Sequence, residues 1–77
     1  MHEMPEELRA RLAGADALRD NGRIDEAIAE YRVIVSAAPD SAQAHFKLGT
    51  GYGNQSGHRQ DAEQCYRKVL ALWRDYP

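Results

Sequence analysis

Three side chains near the C-terminal end have the types and spacing of a nucleophilic site. His58 and Asp61 lie one helical turn apart, and Asp61 and Cys65 lie one turn apart again. On a helix they would share a face, with an imidazole base, an orienting carboxylate and a thiol in reach of one another. Such a set needs a pocket and a base held in one orientation. Cys65 also falls on the apolar stripe of its helix, where a small buried hydrophobe is the simpler role. The remaining histidines, His2 and His45, are scattered, and no pair of His, Asp or Glu has metal-site spacing. His45 is a candidate for contact with a partner, set against a structural or solvated role. The chain is read as non-catalytic, with no metal and no cofactor.

Gly49-Thr50-Gly51-Tyr52-Gly53 invites a second chemical reading, a backbone loop that cradles phosphate. Phosphate loops require a strand before the glycines and a helix after them, and one class adds a lysine followed by Ser or Thr. The sequence supplies none of these. The same letters resemble an ion-filter segment, which has meaning only in a membrane pore. The glycines are read instead as places where helices approach closely, at the loose end of a helix.

The elements that must position these residues are helices. Pro5-Glu6-Glu7 opens the first, with proline suited to the first helical position and carboxylates to the first turn. Leu8, Leu12, Ala15 and Leu18 form its apolar stripe, and Asn21 or Gly22 is placed to cap it in the left-handed conformation. Ile24, Ala27, Ile28, Tyr31, Ile34 and Val35 mark a second helix, stopped at Ala37-Ala38-Pro39. So few residues join the two that they must be antiparallel neighbours. Asp40 or Ser41 caps a third helix, Asp40 having capping-box spacing to Gln43. Ala44, Leu48 and Tyr52 form its stripe, with Phe46 lying off it. Each glycine inside that helix costs about 1 kcal/mol against alanine, so only packing can hold it and its end should fray near Gly53. The fourth helix runs from about His58 to Trp73 or Tyr76, with Ala62, Cys65, Tyr66, Val69, Leu70 and Trp73 recurring at three and four.

Composition narrows the function. The chain has 77 residues, with ten basic and twelve acidic side chains interspersed and a formal net charge of -2. No basic face is visible, which argues against nucleic acid as a partner. No apolar run is long enough to span a bilayer, and the acidic N-terminus lacks the apolar core of a secretory signal. The expected compartment is therefore cytoplasmic. A chain of this length buries only about 60% of its unfolded surface. Cys65 is the sole cysteine, so no disulfide assists. Stability must come from tight helix packing, from a partner, or from further repeats.

Gly22, Ala27, Tyr31 and Ile34 return as Gly57, Ala62, Tyr66 and Val69, each 35 positions on. Repetition at such a period marks a helical repeat array. The positions resemble the tetratricopeptide repeat family, a helix–turn–helix unit in which small residues permit close approach and large ones fill the gaps. Gly14-Ala15, Leu18, Gly22, Ile24, Ala27, Tyr31 and Pro39 follow the family order in the first unit. Leu48-Gly49, Tyr52, Gly57, Ala62, Tyr66 and Val69 follow it in the second. The units differ. Arg11 and His45 stand where the family has an aromatic residue. One extra residue enters the second turn at Asn54-Gln55-Ser56, and the last helix extends about a turn beyond its counterpart.

The resemblance implies an all-α fold of two stacked antiparallel helical hairpins forming a superhelix. It would be one domain over residues 1–77, with repeats at about 8–41 and 42–76. It also implies a protein-interaction module holding a peptide or helical segment of a partner along the face made by the first helix of each repeat. Arg9, Leu12, Asp16 and Arg19, then Gln43, Phe46, Lys47 and Thr50, are the candidate contact residues. Some family members clamp a peptide's terminal carboxylates with lysine and asparagine. Here an acid, Asp16, stands where the asparagine would be, so a segment mixing apolar and charged residues is the better ligand. Trp73 and Tyr76, at the tip of the last helix, are candidates for self-association. The alternative reading is a regulatory or oligomerisation domain of a larger protein, with any catalysis elsewhere in it.

Overall fold

The computed structural model describes residues 4–55 and 57–74. Four helices follow in chain order: α1 Glu6–Asp20, α2 Ile24–Ala37, α3 Ala42–Gly53 and α4 Arg59–Arg74. Among the described residues there is no strand. Each helix packs on the next, giving the hairpins α1–α2 and α3–α4 joined through α2 and α3. The Cα atoms span a slab of 36 × 28 × 16 Å. No described helix is long and apolar enough to cross a membrane.

The helix ends follow local chemistry, with small corrections to the sequence reading. Pro5 is the residue before α1 rather than its first residue, and its carbonyl accepts the N–H groups of Leu8 and Arg9 at 3.0 Å each. At the other end Gly22, not Asn21, takes the left-handed conformation, with φ +81° against -87°. The Arg23 N–H reaches the Leu18 carbonyl at 2.9 Å and the Gly22 N–H reaches that of Arg19 at 3.0 Å. This pair of bonds closes a helix end that needs a residue without a Cβ. Gly57, with φ +90°, is likewise left-handed in the turn between α3 and α4. Ser41, rather than Asp40, caps α3, its hydroxyl accepting the Ala44 N–H at 3.2 Å. The last helix begins at Arg59, with the His58 carbonyl accepting the Ala62 N–H.

Helix α3 stays helical to Gly53, and Gly49 and Gly51 are where neighbours come closest. A Cβ added at Gly49 would stand 2.7 Å from Tyr66 Cε1 and 3.1 Å from Cys65 Cβ. One added at Gly51 would stand 3.0 Å from Ile28 Cγ1 on the opposite side. The helix is thus held closely between α2 and α4, where a Cβ at Gly49 or Gly51 would force its neighbours to give way, and tertiary packing overrides poor propensity. The core centres on Tyr31 and Ile34, both fully enclosed, with Leu12, Ala15, Ala27, Ile28, Ala44 and Leu48 around them. Met4 joins this core from outside the helical repeat, where periodicity carries no signal for it.

Candidate partner-binding surface

Asp16 is the centre of a polar network that ties α1 to α3. The Tyr31 hydroxyl donates to its carboxylate at 2.5 Å and Lys47 Nζ donates at 3.1 Å. Arg19 Nη1 lies 3.7 Å from the same carboxylate and donates to Thr50 Oγ1 at 3.3 Å. Thr50 in turn donates to the Lys47 carbonyl at 2.7 Å. The charged members are about a quarter exposed: 27% for Asp16, 22% for Arg19 and 24% for Lys47. They form the floor of the α1–α3 face, with their outer edges open to solvent.

The other candidate residues on that face fall into two groups. Arg9, Gln43 and Phe46 are exposed. Leu12 lies in the core at 5% exposure, because its spacing to Leu8 and Ala15 turns it inward with them. Sequence reading named Asp16, Arg19, Lys47 and Thr50 but not their mutual pairing, nor the part of Tyr31. Spacing of 31 residues between Asp16 and Lys47, and between Arg19 and Thr50, is a signal only once the two helices are known to lie side by side. The internal carboxylate of Asp16 occupies the lysine that a ligand carboxylate would need.

Burial pushes the Tyr31 phenol well above its ordinary range, helped by its bond to the ionised Asp16. The folded value exceeds the unfolded one, so the proton is lost from the unfolded chain first. Stability from this group is complete below about pH 10 and declines as pH rises beyond it. Cys65, also shifted upward by burial and then by Asp61, adds a decline beginning near the ordinary thiol range at about pH 8.5. Urea midpoints measured against pH should fall from there and steepen above about pH 10, each such proton contributing up to about 1.4 kcal/mol per pH unit. Tyr31→Phe should cost about 1 kcal/mol at neutral pH and flatten the steeper limb.

The residues that looked catalytic have structural places. His58 precedes α4 and its Nδ1 lies 3.0 Å from Asp61 at the third helical position, so the pair marks the helix start. The His58 ring stacks on Tyr52 with centroids 5.3 Å apart. Cys65 is buried against Gly49, and its upward shift is opposite to what a nucleophilic thiol requires. Among the described residues no group of three His, Cys, Asp or Glu could hold a metal ion. His45 is structural rather than a groove residue: its ring nitrogen meets the Pro39 carbonyl at 2.8 Å and the side chain is buried. Arg11 pairs across the first hairpin with Glu30 at 3.1 Å. Each polar residue standing in an aromatic position thus has a polar partner.

At the far end of the molecule a second surface is apolar and open. Tyr66, Leu70 and Trp73 recur along α4 and are 37%, 58% and 62% exposed, beside Phe46 at 49%. Phe46 and Tyr66 touch, with ring centroids 6.0 Å apart. Trp73 does not fold back under Tyr66 and Leu70. Tyr76 lies outside the described residues.

The tetratricopeptide repeat model matches residues 8–50, more than half of the chain. The matched stretch contains the first hairpin and most of α3, including the whole Asp16 network. No curated protein matches the chain, and no solved structure matches it.

Proposed function

Since the chain belongs to the tetratricopeptide repeat family, whose repeats generally mediate protein–protein interaction, we propose that it is a non-catalytic module holding a segment of a partner protein along the α1–α3 face. The observation that carries this reading is the Asp16 network. It fixes two helices side by side and leaves a strip of charge about a quarter exposed, bounded by Arg9 and Gln43, with the exposed ring of Phe46 at its rim. Such a strip is a rigid mixed surface. Little ordering entropy is spent on it when a ligand binds, and an aromatic anchor beside charged groups is the common composition of an interface centre. The complementary segment carries an apolar side chain for Phe46 and charged side chains of both signs for Arg9, Arg19 and Asp16. It is not a bare C-terminal carboxylate, because Asp16 already holds Lys47. The runner-up, a regulatory or oligomerisation domain of a larger protein, shares the same surfaces and differs in what they contact.

Peptides selected from a displayed library against the intact chain supply the test. Phe46→Ala combined with Lys47→Ala should weaken their binding at least tenfold, with the helical circular dichroism unchanged. Leu70→Glu, on the apolar surface of α4 that Phe46 also borders, should leave binding intact. Equal affinity for the folded double variant and the parent chain sinks the proposal.

A further inference from the structure

The two hairpins follow one pattern, yet among the described residues only the first has its downstream face covered. There α3 lies against α2, with Gly51 in contact with Ile28 and Tyr31. Tyr31 is fully enclosed there, and Leu12 is 5% exposed. The same positions 34 or 35 residues on are Phe46 for Leu12, Tyr66 for Tyr31, Leu70 for Val35 and Trp73 for Ala38. These four form the open apolar surface, which is therefore the repeat of an interface already made once within the molecule.

We propose that this surface takes helix α1 of a second copy of the chain, so that copies stack head to tail. Helix α1 is built to play the part of α3. Ala17 stands 34 positions before Gly51, and Ala10 stands 34 before Ala44. Ala10, Ala13, Gly14 and Ala17 recur at helical spacing on an exposed face, and nothing lies within 4 Å of a Cβ placed at Gly14. Side chains this small let an incoming helix come close to the Tyr66 and Leu70 side chains, Ala17 adding one Cβ where α3 has Gly51. The charges agree with the same orientation. Consecutive helices run antiparallel, so α1 of the second copy, laid as α3 lies on α2, brings Glu6 and Glu7 to the C-terminal end of α4. Arg74 stands there, in the last turn of α4. The interface joins two different faces, so it leaves one of each kind free and growth does not close after two copies.

Solution mass against concentration, up to about 1 mM, tests the proposal. The mass should rise continuously above the 8.7 kDa of one chain. Leu70→Glu with Trp73→Glu removes one face, and Ala13→Arg with Ala17→Arg removes the other. All four positions are exposed, so the fold should survive, and alanine at Leu70 and Trp73 replaces the glutamates if circular dichroism shows otherwise. Each double variant alone should remain a monomer. Their equimolar mixture should stop at two chains, because one intact face of each kind remains. A parent chain that stays monomeric throughout overturns the proposal and leaves the surface to a different helix. So do downstream-face variants that associate like the parent. Variants that fail to pair when mixed also overturn it, since association would then be two-fold symmetric.

Discussion

Tyr31→Ala should destabilise the fold by about 3–5 kcal/mol. Tyr31 is the largest fully enclosed side chain, and truncating a buried aromatic costs about 3–5 kcal/mol. Its hydroxyl also holds Asp16, so the same change releases the carboxylate that joins α1 to α3. A domain of this length is stable by roughly 4–12 kcal/mol in total, so the loss takes a quarter or more of it. Tyr66→Ala is the internal control. It changes the same repeat position in the second hairpin, where the ring is 37% exposed, and should cost much less. Urea unfolding followed by helical circular dichroism reads both. Similar losses at the two tyrosines would mean that the second hairpin's apolar surface is not open in solution.

Gly49→Val should destabilise by about 1–3 kcal/mol, although valine is a better helix former than glycine. The added methyl groups enter a space where even a Cβ would stand 2.7 Å from the Tyr66 ring and 3.1 Å from Cys65 Cβ. Tyr66 can swing outward, at the expense of its contact with Phe46, but Cys65 Cβ is fixed by the backbone of α4. Gly14→Ala gives the opposite sign. Nothing surrounds that position, so the full helix-propensity gain of about 1 kcal/mol should appear. Thermal midpoints of the two variants, moving in opposite directions, separate glycine as a packing device from glycine as a tolerated weakness. A rise in stability for Gly49→Val would show that α3 and α4 do not approach as closely as described.

Four helices, their stripes and their antiparallel pairing are legible in the sequence because period and punctuation are local. Ile24 to Val35 carry the second helix unaided, and Gly22 with Gly57 mark the turns. What sequence could not carry were pairings between helices. Asp16 and Lys47 read as two separate surface charges until α1 and α3 lie side by side. Leu12 satisfied both the core stripe and the outward list, and packing decided for the core. The weak end of α3 is the instructive case. Gly49 and Gly51 lower helix propensity by a known amount, and nothing local reports that Tyr66 and Ile28 are close enough to require them.

Amide hydrogen exchange of the intact chain with and without a selected peptide bears most directly on the groove reading. Binding should slow exchange in α1 and α3, centred on Asp16 to Arg19 and on Phe46 to Thr50, and leave the outer faces of α2 and α4 unchanged. Slowed exchange confined to α4 or to the outer side of α2, with α1 and α3 unaffected, would contradict it.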